Sequence, residues 1–247
     1  MPYALTSGLF APGSREARGA LAYLQRHGSR LLGLVRAAAF ALYGEPVYPT
    51  SGTDEVYGIN AARFLADNDR ADQLVLSLYG HLAAGMTPGT FVSGEAASVA
   101  PLANRYYRSM YLPPNAASNA AFLETLRLML VHETRGRDGE PNGLQLGYAT
   151  PRAWLRPGGK IVVRRAPTAF GRLSFSIAAG ARSLRATVDI PAGRPQRFTL
   201  RLRLPRGIHL GAVRLNGRPF RRFDRGTATI DLSGRRGRIV VVAQVGR

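Results

Sequence analysis

The sequence predicts an α+β protein in two parts, a helical segment over residues 1–134 and an antiparallel β-sandwich over 148–247, joined by a linker at 135–147. Three observations predict it. The spacing of apolar residues changes from helical to alternating near residue 145. Charge divides at nearly the same place: residues 1–150 hold 12 Arg and 12 Asp or Glu, whereas 151–247 hold 22 Lys or Arg against Asp189, Asp224 and Asp231, so the net charge of +19 resides in the second part. Between the two lies RGRDGEPNG, residues 135–143, polar and rich in turn formers.

In the first part three apolar series recur at the spacing of amphipathic helices: Leu31, Leu34, Val35, Ala38 and Leu42; Leu74, Val75, Leu78 and Leu82; Phe122, Leu126, Met129 and Leu130. Asp69 and Asp72 suit the start of the second helix, and Pro114-Asn115 introduces the third. His132 falls at the expected end of that helix, where an imidazolium is favoured by the dipole. In the second part RFTLRLRLP alternates Phe198, Leu200, Leu202 and Leu204 with Thr199, Arg201 and Arg203, the pattern of a strand with one buried and one wet face. KIVVRR, RLSFSIA, SLRATVDI, AVRLNG, TATIDLS and RIVVVAQV add further strands, and Asn216-Gly217 is a two-residue hairpin signal. Short antiparallel strands in this number make a sandwich.

Composition excludes several classes of function. With 247 residues and 45% apolar content the chain can bury one large core or two modest ones. No apolar run approaches the length of a membrane span, and the opening MPYALTSGLF lacks the basic and apolar regions of a signal peptide, which leaves the cytoplasm as the default expectation. Absence of cysteine rules out disulfides, thiolate metal ligands and cysteine nucleophiles. The sequence holds no P-loop, no G-x-S-x-G and no H-E-x-x-H. His27, His81, His132 and His209 stand far apart, so neither a metal nor another cofactor is expected. Every basic residue but Lys160 is an arginine, most at outward strand positions and without the interleaved aromatics of a base-stacking surface. A solvated face is expected there, and nucleic acid is not expected as a partner.

Two loops bring carboxylates into Gly-, Ser- and Thr-rich surroundings. PTSGTDEVYGIN, residues 49–60, holds Asp54 and Glu55, and GTFVSGEAASV, residues 89–99, holds Glu95. Each acid has a purely structural reading: Thr53 or Ser93 caps a helix, and an acid in its first turn is stabilised by about 0.3–1 kcal/mol. The loops also carry Tyr57 and Phe91, and NRYYRSMYLPPN at 104–115 adds Tyr106, Tyr107 and Tyr111. Flat rings beside carboxylates suit a sugar, whose C–H face stacks on an aromatic while its hydroxyls bond to acids and amides.

The order SGTDEVYGINAARFLADNDR, GTFVSGEAASVAPL, YLPPNAASNAAFLETLRLMLVHE and GLQLGYATPRAWLRPGGKIVV resembles the C-terminal portion of a six-hairpin, (α/α)6-toroid glycosidase. The resemblance implies a carbohydrate substrate, hydrolysis by paired carboxylates on loops at the mouth of the inner helices, and a β-domain after the toroid. GTFVSGE is similar to the Glu-bearing loops of such enzymes and GTDE to their acid-bearing loops, which makes Glu95, Asp54 and Glu55 the catalytic candidates. A complete ring has about twelve helices, against the about five of ordinary length that residues 1–134 accommodate. The chain is therefore expected to be the last part of a longer protein, with little activity alone, or to associate with itself or with a missing helical portion.

A carboxylate at a helix N-terminus has its anion stabilised, which suits a general base or nucleophile, so Glu95 is the candidate base. Asp54 or Glu55 is the candidate acid where burial outweighs the dipole, and if one of them serves the helix the other is freer to act. A noncatalytic carbohydrate-binding protein, which would be indifferent to loss of Glu95, or a structural interaction protein is the alternative, with a basic nucleic-acid-binding protein behind both.

Overall fold

The computed structural model describes residues 2–27, 29–31, 34–36, 41–42, 45–46, 52–102, 105–136 and 138–246. They form two compact units, Met1–Leu128 and Met129–Arg247.

The first unit opens with a 3-10 turn, Pro2–Thr6, and α1, Arg15–His27. Short strands follow: β1 (Ser29–Leu31) with β2 (Leu34–Arg36), and β3 (Ala41–Leu42) with β4 (Glu45–Pro46), each pair antiparallel. The helix expected over Leu31–Leu42 is thus replaced by strands on its described residues, while Ala38 lies outside them. Gly33, costing about 1 kcal/mol against Ala in a helix interior, opposes the helix that the apolar spacing suggests. Then come β5 (Gly52–Asp54), α2 (Glu55–Asp67), α3 (Ala71–Gly80) with a π-helical turn at His81–Gly85, β6 (Ala96–Leu102), β7 (Arg105–Tyr111) and α4 (Ala116–Leu130).

Leu5, Ala17 and Phe64 form a small core that joins the opening turn and α1 to α2, supported by a Thr6 hydroxyl donating to Asn60 Oδ1 at 3.0 Å. On α3 the buried residues Ala71, Leu74, Ser77 and Leu78 keep the expected helical spacing. On α4 the buried line is Ser118, Ala121, Thr125 and Leu128, small and hydroxyl-bearing. Met129 of the expected stripe is fully buried, Phe122 and Leu126 are half-buried, and Leu123 is 63% exposed. Asn115 caps α4, its Oδ1 accepting from the Ser118 N–H at 3.0 Å.

The second unit begins on the last residues of α4 and continues directly into β8 (Val131–Arg135) and β9 (Pro141–Leu146), an antiparallel hairpin. The stretch expected as a linker at 135–147 is therefore mostly hairpin. Its polar residues make the turn, with Gly136 N–H on the Glu140 carbonyl at 2.8 Å and Gly139 at a φ of 81°, while Leu144 and Leu146 are buried in the core. His132 stands on β8 instead of a helix end. Its Nδ1 is 2.9 Å from Gln145 Oε1, and its ring lies on Tyr148.

The remaining strands are β10 (Lys160–Ala166), β11 (Leu173–Ala179), β12 (Ser183–Asp189), β13 (Arg197–Arg201), β14 (His209–Leu215), β15 (Arg218–Phe220), β16 (Phe223–Asp224), β17 (Thr229–Asp231) and β18 (Arg238–Gly246). One sheet runs β10-β11-β12-β18-β14-β15 and is antiparallel throughout; the other runs β16-β17-β13-β9-β8. The second sheet departs from the antiparallel expectation at one place, since β13 and β9 pair in parallel. A single core fills the space between the sheets, with Phe175, Ile177, Val188 and Val241 from the first meeting Leu144, Phe198, Leu200 and Ile230 from the second. Asn216 and Gly217, at φ values of 49° and 81°, form the two-residue turn between β14 and β15 with Leu215 paired to Arg218.

Candidate active site

The two acid-bearing loops meet at the start of α2. The first N–H groups of any helix lack intrahelical acceptors. Here those of Glu55 and Val56 both point at the main-chain carbonyl of Glu95, at 3.2 and 3.3 Å. The strands on either side extend the joint: β5 pairs with β6 through Asp54 opposite Ala96 and Thr53 opposite Ala97, and the Glu95 N–H donates to the Tyr111 carbonyl at 2.8 Å. This differs from the expected local structure. No helix follows Ser93; the chain enters β6, where Pro101 would interrupt a helix in any case and β5 and β7 supply hydrogen-bond partners on both sides. Ser93 is not an N-cap, and the cap of α2 is the Glu95 carbonyl instead of Thr53.

Glu55 is 1% exposed. Its Oε1 accepts a short hydrogen bond from the Thr53 hydroxyl, which is also buried. The other wall is the end of the π-helical turn: a Cβ at Gly85 would stand 2.5 Å from both Cγ and Oε1 of Glu55, so the carboxyl group occupies the space that only glycine leaves open.

Behind this wall sits a polar group that sequence inspection missed. The Ser93 hydroxyl lies 3.2 Å from the Gly85 carbonyl and 3.2 Å from His81 Nε2. With the hydroxyl hydrogen given to Gly85, the imidazole donates from Nε2. His81 meets Phe122 edge-on, with ring centroids 5.4 Å apart, and burial pushes its pKa down to about 4. Ser93 is fully buried and His81 5% exposed, so the pair holds structure together and is closed to a substrate. Asn119 of α4 completes the seat of the loop, accepting from the Ser93 N–H at 3.2 Å. The twelve-residue separation of His81 and Ser93 carries no motif that could have revealed them.

Of the remaining candidates, Phe91 is 57% and Tyr111 42% exposed. Phe91 stands in a tight turn with a φ of 54°, in which its N–H donates to the Thr87 carbonyl at 3.0 Å. Glu95 is half-buried. The side chains of Asp54, Tyr57, Tyr106 and Tyr107 lie outside the described residues; their backbones belong to β5, α2 and β7. Among the described residues no three His, Asp or Glu side chains form a metal-binding group, and no helix is long and apolar enough to cross a membrane.

No family model matches the chain, and no curated protein matches it. Among solved structures it is similar to one described as a glycoside hydrolase, at 14% identity over 76% of this chain and 32% of that one, with a TM-score of 0.37. It is similar to a GH127 β-L-arabinofuranosidase from Geobacillus stearothermophilus T6 at 16% identity over 90% of this chain and 36% of that one, TM-score 0.41. A further GH127 β-arabinofuranosidase matches at 12% identity over 77% and 31%, TM-score 0.33. The chain spans about a third of the length of these structures.

Proposed function

We propose that the chain carries a carboxylate-bearing wall of a glycoside hydrolase site, on a segment of a helical toroid, and that it acts on carbohydrate. The observation that supports this reading is the joint at the start of α2, where the Glu95 carbonyl takes two N–H donors and the two acid-bearing loops become one structural element. Glu95, half-buried, is the carboxylate that a substrate can reach. Glu55, enclosed by Thr53 and Gly85, fixes the joint. The second member of the pair is Asp54, on β5 immediately before the joint, with its Cα the cross-strand partner of Ala96. Phe91 and Tyr111, exposed beside the same loop, serve as stacking surfaces for sugar rings.

The test is a panel of oligosaccharides and aryl glycosides offered to the full chain, with binding read by NMR line broadening and turnover by product release. The reading expects at least one sugar to bind, with binding weakened by Phe91→Ala. Where turnover is present, Glu95→Gln lowers it about 10²–10⁴-fold with the fold intact. If no sugar binds, or if a bound sugar is hydrolysed as fast after Glu95→Gln, the reading fails. Binding that persists with no hydrolysis, and is indifferent to Glu95→Gln, would favour the noncatalytic carbohydrate-binding alternative.

A further inference from the structure

The outer face of the six-stranded sheet has an order of its own. Cross-strand pairing aligns Lys160 with Ala178, Ala178 with Arg185, Arg185 with Val242, Val242 with Arg214 and Arg214 with Pro219, one continuous row across all six strands. Directly paired residues share a face. The three cations therefore stand on alternate strands, about 10 Å apart at ordinary strand spacing, separated by the small or flat residues Ala178 and Val242. The next outward row is Val162, Ser176, Thr187 and Val240, with Val162 44% exposed. The result is a shallow surface with hydroxyls beside an evenly spaced line of positive charge.

Among the described residues of the second unit no ion pair is made to that line. Of the three acids after residue 151, Asp189 faces Arg238 at 3.7 Å, Asp231 holds Arg222 at 2.5 Å, and Asp224 accepts from the backbone and hydroxyl of Thr227. Among the described residues no carboxylate pairs with Lys160, Arg185 or Arg214; Arg214 Nη1 reaches only the Gly217 carbonyl, at 3.3 Å.

We propose that this face binds an extended acidic polysaccharide, its carboxylates meeting Lys160, Arg185 and Arg214 and its hydroxyls meeting Ser176 and Thr187. The spacing selects the partner. A duplex presents one phosphate per ~3.4 Å along each strand, far denser than this row, and single strands are held by exposed rings on which bases stack. The two rows contain no aromatic residue, and Phe220, stacked under Arg235 at the sheet edge, is buried. A polyuronate ribbon with two-fold symmetry carries an acid on each sugar and turns every second carboxylate to the same side, a disaccharide apart, and small residues between the cations let it lie flat. The surface belongs to the second unit and goes beyond the carboxylate site, so either reading can fail without the other.

The test measures binding of polygalacturonate oligomers to the full chain by fluorescence polarisation at several salt concentrations, beside neutral maltodextrin oligomers and single-stranded oligo-dT. Two variants of equal charge are compared, K160Q/R185Q/R214Q and R194Q/R197Q/R206Q, the second removing exposed arginines elsewhere on the sandwich. The proposal expects polygalacturonate to bind more tightly than either other probe. It expects at least tenfold loss in the first variant, a salt slope reduced by about 2, and at most threefold loss in the second. R185Q alone, expected to weaken binding severalfold, keeps the test open if the triple variant misfolds. Equal losses in the two triple variants, tighter binding of oligo-dT, or no binding of polygalacturonate would each overturn it.

Discussion

His81 Nε2 and the Ser93 hydroxyl, 3.2 Å apart and both buried, tie the π-helical turn after α3 to the loop that delivers Glu95. Because burial lowers the His81 pKa to about 4, the folded protein binds fewer protons than the unfolded chain between that value and the ordinary 6.5. Stability contributed by the neutral ring is complete above pH 6.5 and is lost as the pH falls toward 4, in all about 3 kcal/mol at 1.36 kcal/mol per unit. Urea unfolding across that range is expected to show this slope in the parent and to lack it in His81→Gln. Parallel curves for the two proteins would mean that His81 is not the titrating group.

Gly85 and Glu55 compete for the same space. Gly85→Ala is expected to cost about 1–3 kcal/mol by overpacking, measured by thermal unfolding, since the new methyl meets Cγ and Oε1 of Glu55. Shortening the partner gives it room, so Glu55→Ala combined with Gly85→Ala should cost less than the sum of the single changes. Additive losses would show that the two positions do not press on each other.

Asn115→Ala is expected to lose about 1 kcal/mol, the usual cost of removing an N-cap, whereas Asn115→Asp keeps the acceptor and adds a favourable interaction with the helix dipole. Asn115 also donates its N–H to the Ser93 carbonyl at 2.7 Å, a bond that both variants retain. Denaturant midpoints that rank the alanine variant above the aspartate variant would contradict the cap.

Gly217→Ala isolates a purely conformational cost. A Cβ there meets nothing within 4 Å, yet the residue holds a φ of 81°. Roughly 1 kcal/mol of destabilisation is expected from the left-handed backbone alone, read from unfolding of the full chain. An unchanged midpoint would show that the turn rearranges at no cost.

The sandwich strands were legible where one face is core and the other water, as in Phe198, Leu200 and Leu202 alternating with Thr199 and Arg201. The hairpin at Asn216-Gly217 was legible from its backbone chemistry. The β8–β9 hairpin was not, because its turn is as polar as any linker and Gly143 weakens the alternation of β9; what makes it a strand pair is burial of Leu144 and Leu146 against residues far along the chain. The small residues of AASVA, ahead of Pro101, suit a helix as readily as a strand, and their pairing with both β5 and β7 makes the strand. In the candidate site the two acid-bearing loops singled out in the sequence lie side by side in the fold, while the mode of contact, carbonyl to helix N-terminus, uses backbone atoms that every residue possesses. His81 emerged only from the fold.

The position of β18 bears on the order in which the sandwich is made. It lies between β12 and β14 in the middle of the six-stranded sheet, yet it is the last strand of the sheet to be synthesised. Until residues 238–246 leave the ribosome, β12 and β14 each present an unpaired edge, and the sheet exists as two halves. Pairing Val188 with Ile239 closes a loop of fifty residues, a non-local step that slows folding. During that interval the exposed edges are open to pairing with other chains, so a nascent chain stalled before residue 238 would be the form most prone to aggregate.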